Sequence, residues 1–533
     1  MEWLVLWVSI YLAAFSNSRF LSAVTSGRDW ASIDTWFFTG AVVLALIALH
    51  GLLFSPLLTR WSVRPLLSTL VLVAAFATFY MQRYGVYYDP SMLRNVLRTD
   101  ASEASELMSW SLMAHVIMYA APPLWLIWRA RLSPHPLAKS ILRRLVFMIL
   151  SAVGLVAALL LIFQDFSALM RNQKELRYLI TPANVLYSTA RVLSSDVEKP
   201  RRRQEVGVDA RMDSFSMDQK PTLLFIVVGE TVRSANWGLS GYSRQTAPKL
   251  RALDVVNFDN VTACGTNTET SLPCMFSAIG RRDYDEARIR SSDSLLHVLA
   301  RAGIEVYWKD NQSGCKGVCD GLNELAIDAQ AAGALCSDGR CFDEVLLKGL
   351  EPLTSASTKT TVVVLHMLGN HGPAYYKRYP ASFKHFLPTC DTGELRKCDR
   401  QSIVNAYDNA VLYTDHVLSQ AVKYLQTQED RFDTAMLYVS DHGESLGEKG
   451  LFLHGLPQAI APDEQTQVPM VWWLSNGFKA SRRLESGCLQ RKASTALSHD
   501  NLFHSVLGLL RIRTDVYEER LDISAGCRQE VVR

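Results

Sequence analysis

The first 165 residues of this 533-residue chain contain no cysteine and few acidic residues. All ten cysteines, Cys264, Cys274, Cys315, Cys319, Cys336, Cys341, Cys390, Cys398, Cys488 and Cys527, lie in the remainder. No basic stretch precedes the first apolar run and four more apolar runs follow it, so a cleavable signal peptide is a poor explanation for it. There is no basic stripe with interleaved aromatics, so no nucleic acid partner is expected. The net charge of +3 averages an apolar part and a mixed-charge part and says little about either. The Cys315-x-x-x-Cys319 pair lacks a second thiol pair at zinc-ribbon spacing, which disfavours a structural zinc. Neighbour pairing as 264/274, 315/319, 336/341 and 390/398, with 488/527 left as the fifth pair, predicts disulfides formed in an oxidising compartment.

What is present begins with five apolar runs, at 3–21, 36–58, 65–80, 107–128 and 141–163, of roughly the 17–25 residues that cross a bilayer, the third being short. The loops 60–64 and 129–144 are basic and contain no acid, whereas those around 28–34 and 83–106 mix both signs. The positive-inside rule then puts the first two loops and the amino terminus in the cytoplasm. Five crossings bring everything after Phe163 out on the far side, where the cysteines are also expected. The stretch 165–193 has helical spacing with apolar and basic residues, and two readings stay open: a helix along the membrane surface, or a connecting helix packed on the soluble part. The polar run 194–220, with Arg201, Arg202 and Arg203, reads as a linker. The expected division is a five-helix membrane domain at 1–165, bridging helices and linker at 166–220, and a catalytic domain at 221–533.

From Pro221 short β-branched runs alternate with helical stretches, the pattern of an α/β domain with a doubly wound sheet. The run 222–228 stops at Gly229-Glu230-Thr231, the run 361–365 leads into His366 and Gly369-Asn370-His371-Gly372, and the run 435–440 stops at Asp441-His442-Gly443-Glu444. Ligands gather at the carboxyl ends of strands in such sheets. Glu230, His371, Asp441 and His442 are therefore expected in one crevice, and carboxylates with imidazoles suit zinc with a position left for a phosphate ester.

A nucleophile is sought in 264–274, which follows an extended run and opens a helical one, where free N–H groups and the helix dipole favour a phosphoryl group. Metal coordination would activate a hydroxyl there. Spacing leaves Thr266, Thr268, Thr270 and Ser271 as alternatives, each also a plausible helix cap. Lys316, in a loop after the strand-like 304–308, offers a fixed positive charge for phosphate oxygens. His454 follows the Asp-His motif as a second metal ligand or a general acid.

These residues resemble a family. Glu230 in Gly-Glu-Thr, Cys264 to Thr268 as Cys-Gly-Thr-x-Thr, His366 to Pro373 as His-x-x-Gly-x-His-Gly-Pro and Asp441 to Glu444 as Asp-His-Gly-Glu are similar to motifs of the phosphoethanolamine transferases of the alkaline-phosphatase superfamily, which include lipid A modifying and mobile colistin resistance enzymes. The resemblance implies an alkaline-phosphatase-like central sheet and Thr268 as nucleophile. It implies one tight zinc on Glu230, Thr268, Asp441 and His442, and His371, His454 and Lys316 on the phosphate or on a second, weaker zinc. Asn95, Thr99 and Glu103, at i, i+4 and i+8, would form the face for the lipid donor, with Glu103 on the ethanolammonium and Ser313 joining them. The implied reaction moves phosphoethanolamine from phosphatidylethanolamine to lipid A in the Gram-negative inner membrane, by a monomer facing the periplasm, and reduces polymyxin binding. Transfer to Kdo, heptose or a periplasmic glucan is the near alternative. Lipoteichoic acid synthases share the layout but fit five disulfides less well, and the Cys/Ser-x-Pro-x-Arg sequence of sulfatases is absent. A non-catalytic scaffold is disfavoured by the intact ligand positions.

Overall fold

The apolar runs fold as helices in the computed structural model, which describes every residue except 100, 134, 198–202, 214–219, 338–339, 486 and 530–533. Ile33–Phe54, Val63–Tyr84, Trp110–Arg129 and Leu137–Leu161 are each long and apolar enough to cross a membrane. The first run departs from a single straight span. It folds as Glu2–Ser16 and Ser18–Val24, bent by 62°, so the described residues hold four helices long and apolar enough to span, or five if the bent pair is one crossing.

The break lies at Asn17. Its buried amide donates to the carbonyls of Leu12 at 2.9 Å and Thr181 at 2.8 Å and accepts from the Thr181 N–H at 2.9 Å. Such bonds take the place of ladder bonds that a dry interior would otherwise leave unmade. The third run is longer than its hydropathy suggests, because Val63–Tyr84 ends only at Gly85, which takes the left-handed conformation of a helix stop. Of Leu137–Leu161 only Ala158 is buried, a surface that lipid suits and water does not. The stretch 165–193 is not one helix: Phe163–Asn172 and Ala183–Val197 flank a 3-10 turn at Lys174–Leu179.

The chain forms two units, Met1–Val96 with Met108–Val197, and Leu97–Leu107 with Glu198–Arg533. The second is built on an eight-stranded sheet. Its strands in chain order are β1 (Thr222–Gly229), β2 (Val255–Thr262), β3 (Glu305–Asp310), β4 (Asn323–Leu325), β5 (Thr361–His366), β6 (Asp433–Ser440), β7 (Gln467–Leu474) and β8 (Leu497–Ser498). They lie in the order β8-β2-β7-β6-β1-β5-β3-β4. All pairs are parallel except those of β7, which runs against both β2 and β6. The connection 441–466 carries no crossover helix that would return the chain to the other end of the sheet, so β7 starts beside Thr262 at the end where β6 stops and runs back.

Every residue of central β1 is buried, as a strand covered on both faces requires. Leu224, Ile226 and Val228 enter one core with the helices Thr268–Met275, Leu295–Arg301 and Asp500–Leu509, while Leu223, Phe225 and Val227 enter another with Arg400–Gln426. The five disulfides pair as the sequence predicts, and none of the ten cysteines is free. Part of the expected linker is tied down: Arg203 donates to the Gly317 carbonyl at 2.6 Å and Arg211–Met212 pairs with Ile512–Arg513. Arg201 and Arg202 lie outside the described residues.

Candidate active site

Parallel register brings the motifs together. Gly229 pairs with Ser440 and Val228 with His366, so Glu230 and Asp441 leave adjacent strands side by side. The loop after β5 crosses closely over Glu230: Asn370 N–H donates to the Glu230 carbonyl at 3.0 Å, and a Cβ on Gly369, at φ +53°, would lie 2.6 Å from that oxygen. Only glycine allows this approach, which carries the chain on to His371.

Glu230, Asp441 and His442 are fully buried, and one ligand atom from each lies within 4.8 Å of the others. Among the described residues this is the one such cluster. Asp441 Oδ1 accepts from the N–H groups of Thr231 and His442, whereas Asp441 Oδ2 and Glu230 Oε1 have no hydrogen-bond partner. His442 Nδ1 faces the Gly443 carbonyl at 2.9 Å, which leaves Nε2 turned to both carboxylates at 3.4 Å. Two orphaned carboxylate oxygens and an imidazole Nε2, all dry, fit a metal of zinc's preferences.

The charges are strongly coupled. Burial alone would raise the Glu230 carboxyl, but the neighbouring imidazole of His442, then His371 and His454, hold it well below the usual carboxylate range. Burial and the like charge of Glu230 push Asp441 up to about 7. Burial opposes a charge on His442, yet Asp441 and Glu230 raise it to about 10. Two carboxylates at this separation call for a cation, and the imidazolium supplies one.

The hydroxyls left open by spacing separate here. Thr266 Oγ1 donates to the Leu456 carbonyl at 2.6 Å, and Ser271 Oγ donates to the Asp441 carbonyl. Thr268 opens the eight-residue helix Thr268–Met275, capped by Asn267, and its Oγ1 donates to Glu230 Oε2 at 3.0 Å and lies 3.4 Å from His442 Nε2. The ring of His454 is 4.4 Å from that of His442 and 5.5 Å from that of His371. His454 Nδ1 lies 3.3 Å from Glu444 Oε1, and burial lowers its pKa despite that carboxylate. Lys316, itself at positive φ, donates to the hydroxyl and carbonyl of Ser313 at 2.6 and 2.8 Å.

The proposed donor face is arranged differently from an unbroken helix. Pro90–Arg98 ends before Thr99 and a second helix starts at Ala101. Asn95 belongs to the first unit and Thr99 to the second, and the Glu103 side chain lies outside the described residues.

Sequence reading missed Glu269. This fully buried carboxylate follows Thr268 and meets Arg98 at 3.0 Å, Arg290 at 3.2 Å and Lys316 at 3.6 Å. It missed Glu106 and Arg378 as well, which pair with each other while Arg378 Nε donates to the His371 carbonyl at 2.6 Å. An acid one residue from a candidate nucleophile was the available signal for Glu269; nothing local pointed to the other two.

Residues 46–197 match the family model described as phosphoethanolamine transferase EptA/EptB, and residues 222–512 match the sulfatase model. The chain is 36% identical to phosphoethanolamine transferase EptA of Escherichia coli (strain K12), over 99% of this chain and 97% of that protein. It is 34% identical to phosphatidylethanolamine transferase Mcr-1 of Escherichia coli, over 97% and 96%. Among solved structures it is similar to the integral membrane protein lipooligosaccharide phosphoethanolamine transferase A (EptA) from Neisseria meningitidis, with a TM-score of 0.93 at 34% identity over 99% of both chains. With the strand-end triad and the membrane helices in one chain, this protein belongs to the phosphoethanolamine transferase family.

Proposed function

We propose that this protein transfers phosphoethanolamine from phosphatidylethanolamine to a phosphate of lipid A through a covalent intermediate on Thr268. The observation that carries the mechanism is the Thr268 hydroxyl, 3.0 Å from Glu230 Oε2 at the edge of the buried Glu230, Asp441 and His442 cluster. The lipid acceptor is drawn from the family and from the Neisseria meningitidis relative, which is a lipooligosaccharide enzyme. Membrane helices and five disulfides agree with the Gram-negative inner membrane and a periplasmic catalytic unit.

Glu230, Thr268, Asp441 and His442 would hold zinc, which supplies a Lewis acid that lowers the pKa of a nearby hydroxyl. Thr268 Oγ attacks the phosphorus of phosphatidylethanolamine and the bond to the diacylglycerol oxygen breaks. His454, which burial keeps neutral and ready to accept a proton, takes the one that Thr268 loses and returns it to the diacylglycerol oxygen as that oxygen leaves. His371 and Lys316 hold the phosphoryl oxygens, and we assign the ethanolammonium to Glu103. A phosphate oxygen of the acceptor then attacks the same phosphorus and Thr268 leaves. Lipid A gains an ammonium that offsets its phosphate charge and weakens the hold of cationic peptides such as polymyxin.

The test is chemical. Purified wild type, but not Thr268→Ala, is expected to release diacylglycerol from labelled phosphatidylethanolamine and to carry a phosphoethanolamine mass on the peptide containing residue 268. An unmodified peptide from an active preparation rules out the threonine intermediate. Lipid A from cells with and without the gene is expected to differ by one phosphoethanolamine, and an unchanged lipid A rules out that acceptor.

A further inference from the structure

The chain leaves the membrane unit after Val96, adds Leu97–Leu107 to the catalytic unit and rejoins the membrane unit at Met108. Ion pairs fix the segment at both ends. At one end Arg98 Nη1 donates to Glu269 Oε2 at 3.0 Å. Glu269 is fully buried, follows Thr268 directly, and also gathers Arg290 and Lys316. At the other end the Glu106 carboxylate, with 1% of its side chain exposed, is gripped by Arg340 and by Arg378, itself 3% exposed. Arg378 spends its Nη2 on Glu106 and its Nε on the His371 carbonyl at 2.6 Å.

The chemistry of these pairs is unlike that of surface salt bridges, which hold little. A carboxylate buried between two guanidiniums gives charge-assisted, directional bonds, and losing it takes from the buried Arg378 its carboxylate. A guanidinium is a rigid fork, so fixing one of its nitrogens on Glu106 fixes the direction of the other on His371. The same segment therefore reaches the backbone of His371 in one step and the neighbour of Thr268 in another.

We infer that Leu97–Leu107 is a positioning element of the transferase site: Glu106 sets His371 through Arg378, and Arg98 sets Thr268 and Lys316 through Glu269. This rests on the proposed roles of Thr268, His371 and Lys316. Neither Glu106 nor Arg98 touches substrate in this scheme. Their effect is on the rate of phosphoryl transfer, since misplacing a group by about 1 Å costs up to ~100-fold.

The test uses the full-length protein and two independent readouts. For Glu106→Gln, kcat for diacylglycerol release is expected to fall about tenfold or more with KM for phosphatidylethanolamine nearly unchanged. Glu106→Asp, which keeps the charge, is expected to recover part of the loss, and Arg98→Met to lower kcat in the same sense. Independently of turnover, carbethoxylation of His371 by diethyl pyrocarbonate, followed by mass spectrometry, is expected to run roughly tenfold faster in Glu106→Gln, with the exposed His385 as internal control. Wild-type kcat together with a wild-type His371 modification rate overturns the inference. So does a rate loss that merely follows the folded fraction measured by circular dichroism. Absence of turnover in the wild type refutes the proposed function instead, while the His371 reactivity still decides the positioning claim.

Discussion

At the scale of single residues, what matters is how few partners the ligand atoms have. Glu230 Oε1 and Asp441 Oδ2 are buried acceptors without donors, which a folded protein tolerates only where something else binds. Removing a bound cation leaves both charges facing each other, with only His442 between them. Treating the full-length protein with a chelator is therefore expected to lower its melting temperature, and adding zinc to restore it, because a ligand of the native state alone stabilises by mass action. In Asp441→Asn, bound zinc measured by elemental analysis should fall well below one per chain, chelation should barely move the melting temperature, and turnover should drop by roughly 10³-fold or more. A melting temperature that ignores the chelator in a zinc-replete wild type contradicts the metal assignment.

At the scale of elements, legibility depended on burial and direction. The ends of β1, β5 and β6 were readable because strands covered on both faces are continuous apolar runs that stop abruptly, and the chemistry begins at the stop. The reversed direction of β7 was not readable, since a run of apolar residues has no polarity of its own. The effect of Asn17 depends on Thr181, far along the chain, which local spacing does not show. Spacing leaves Thr268 beside three other hydroxyls; in the fold Thr266 donates to Leu456 and Ser271 to Asp441, whereas Thr268 donates to Glu230.

The helix Arg400–Gln426 offers a test of burial at this scale. Its Asp415 accepts the N–H groups of Lys249 at 2.9 Å and Leu250 at 2.8 Å, capping the short helix Pro248–Arg251, and burial pushes its carboxyl up to about 6. A raised carboxyl pKa means that the folded state holds its proton more tightly than the unfolded state, whose value is near 3.9. Its contribution is then most favourable below about pH 4 and is lost as pH rises through about 6. Relative to wild type, Asp415→Asn is expected to gain about 3 kcal/mol between those limits, read as the pH dependence of the difference in unfolding free energy. A difference that does not change with pH shows that Asp415 is not held in this way.

At the scale of the whole molecule, the chain order and the functional unit do not coincide. Cutting at the linker looks natural from the sequence, yet it removes Arg98 and Glu106, whose partners Glu269 and Arg378 stand 171 and 272 residues away. Ion pairs across such distances leave no trace in local spacing, which is why this part of the site was invisible before the fold was known. Two effects would follow from the cut and can be separated. Loss of the membrane anchor lowers the effective concentration of lipid substrates but is irrelevant to a water-soluble donor. Loss of Leu97–Leu107 acts on any donor. With glycerophosphoethanolamine, the fragment starting at Arg203 is therefore expected to label Thr268 about tenfold more slowly than the full chain, and the full-length Arg98→Met, Glu106→Gln double variant to be slowed as much. Equal labelling by fragment and full chain means that the segment only docks and does not position; a slow fragment beside an unimpaired double variant assigns the deficit to something else that the cut removes.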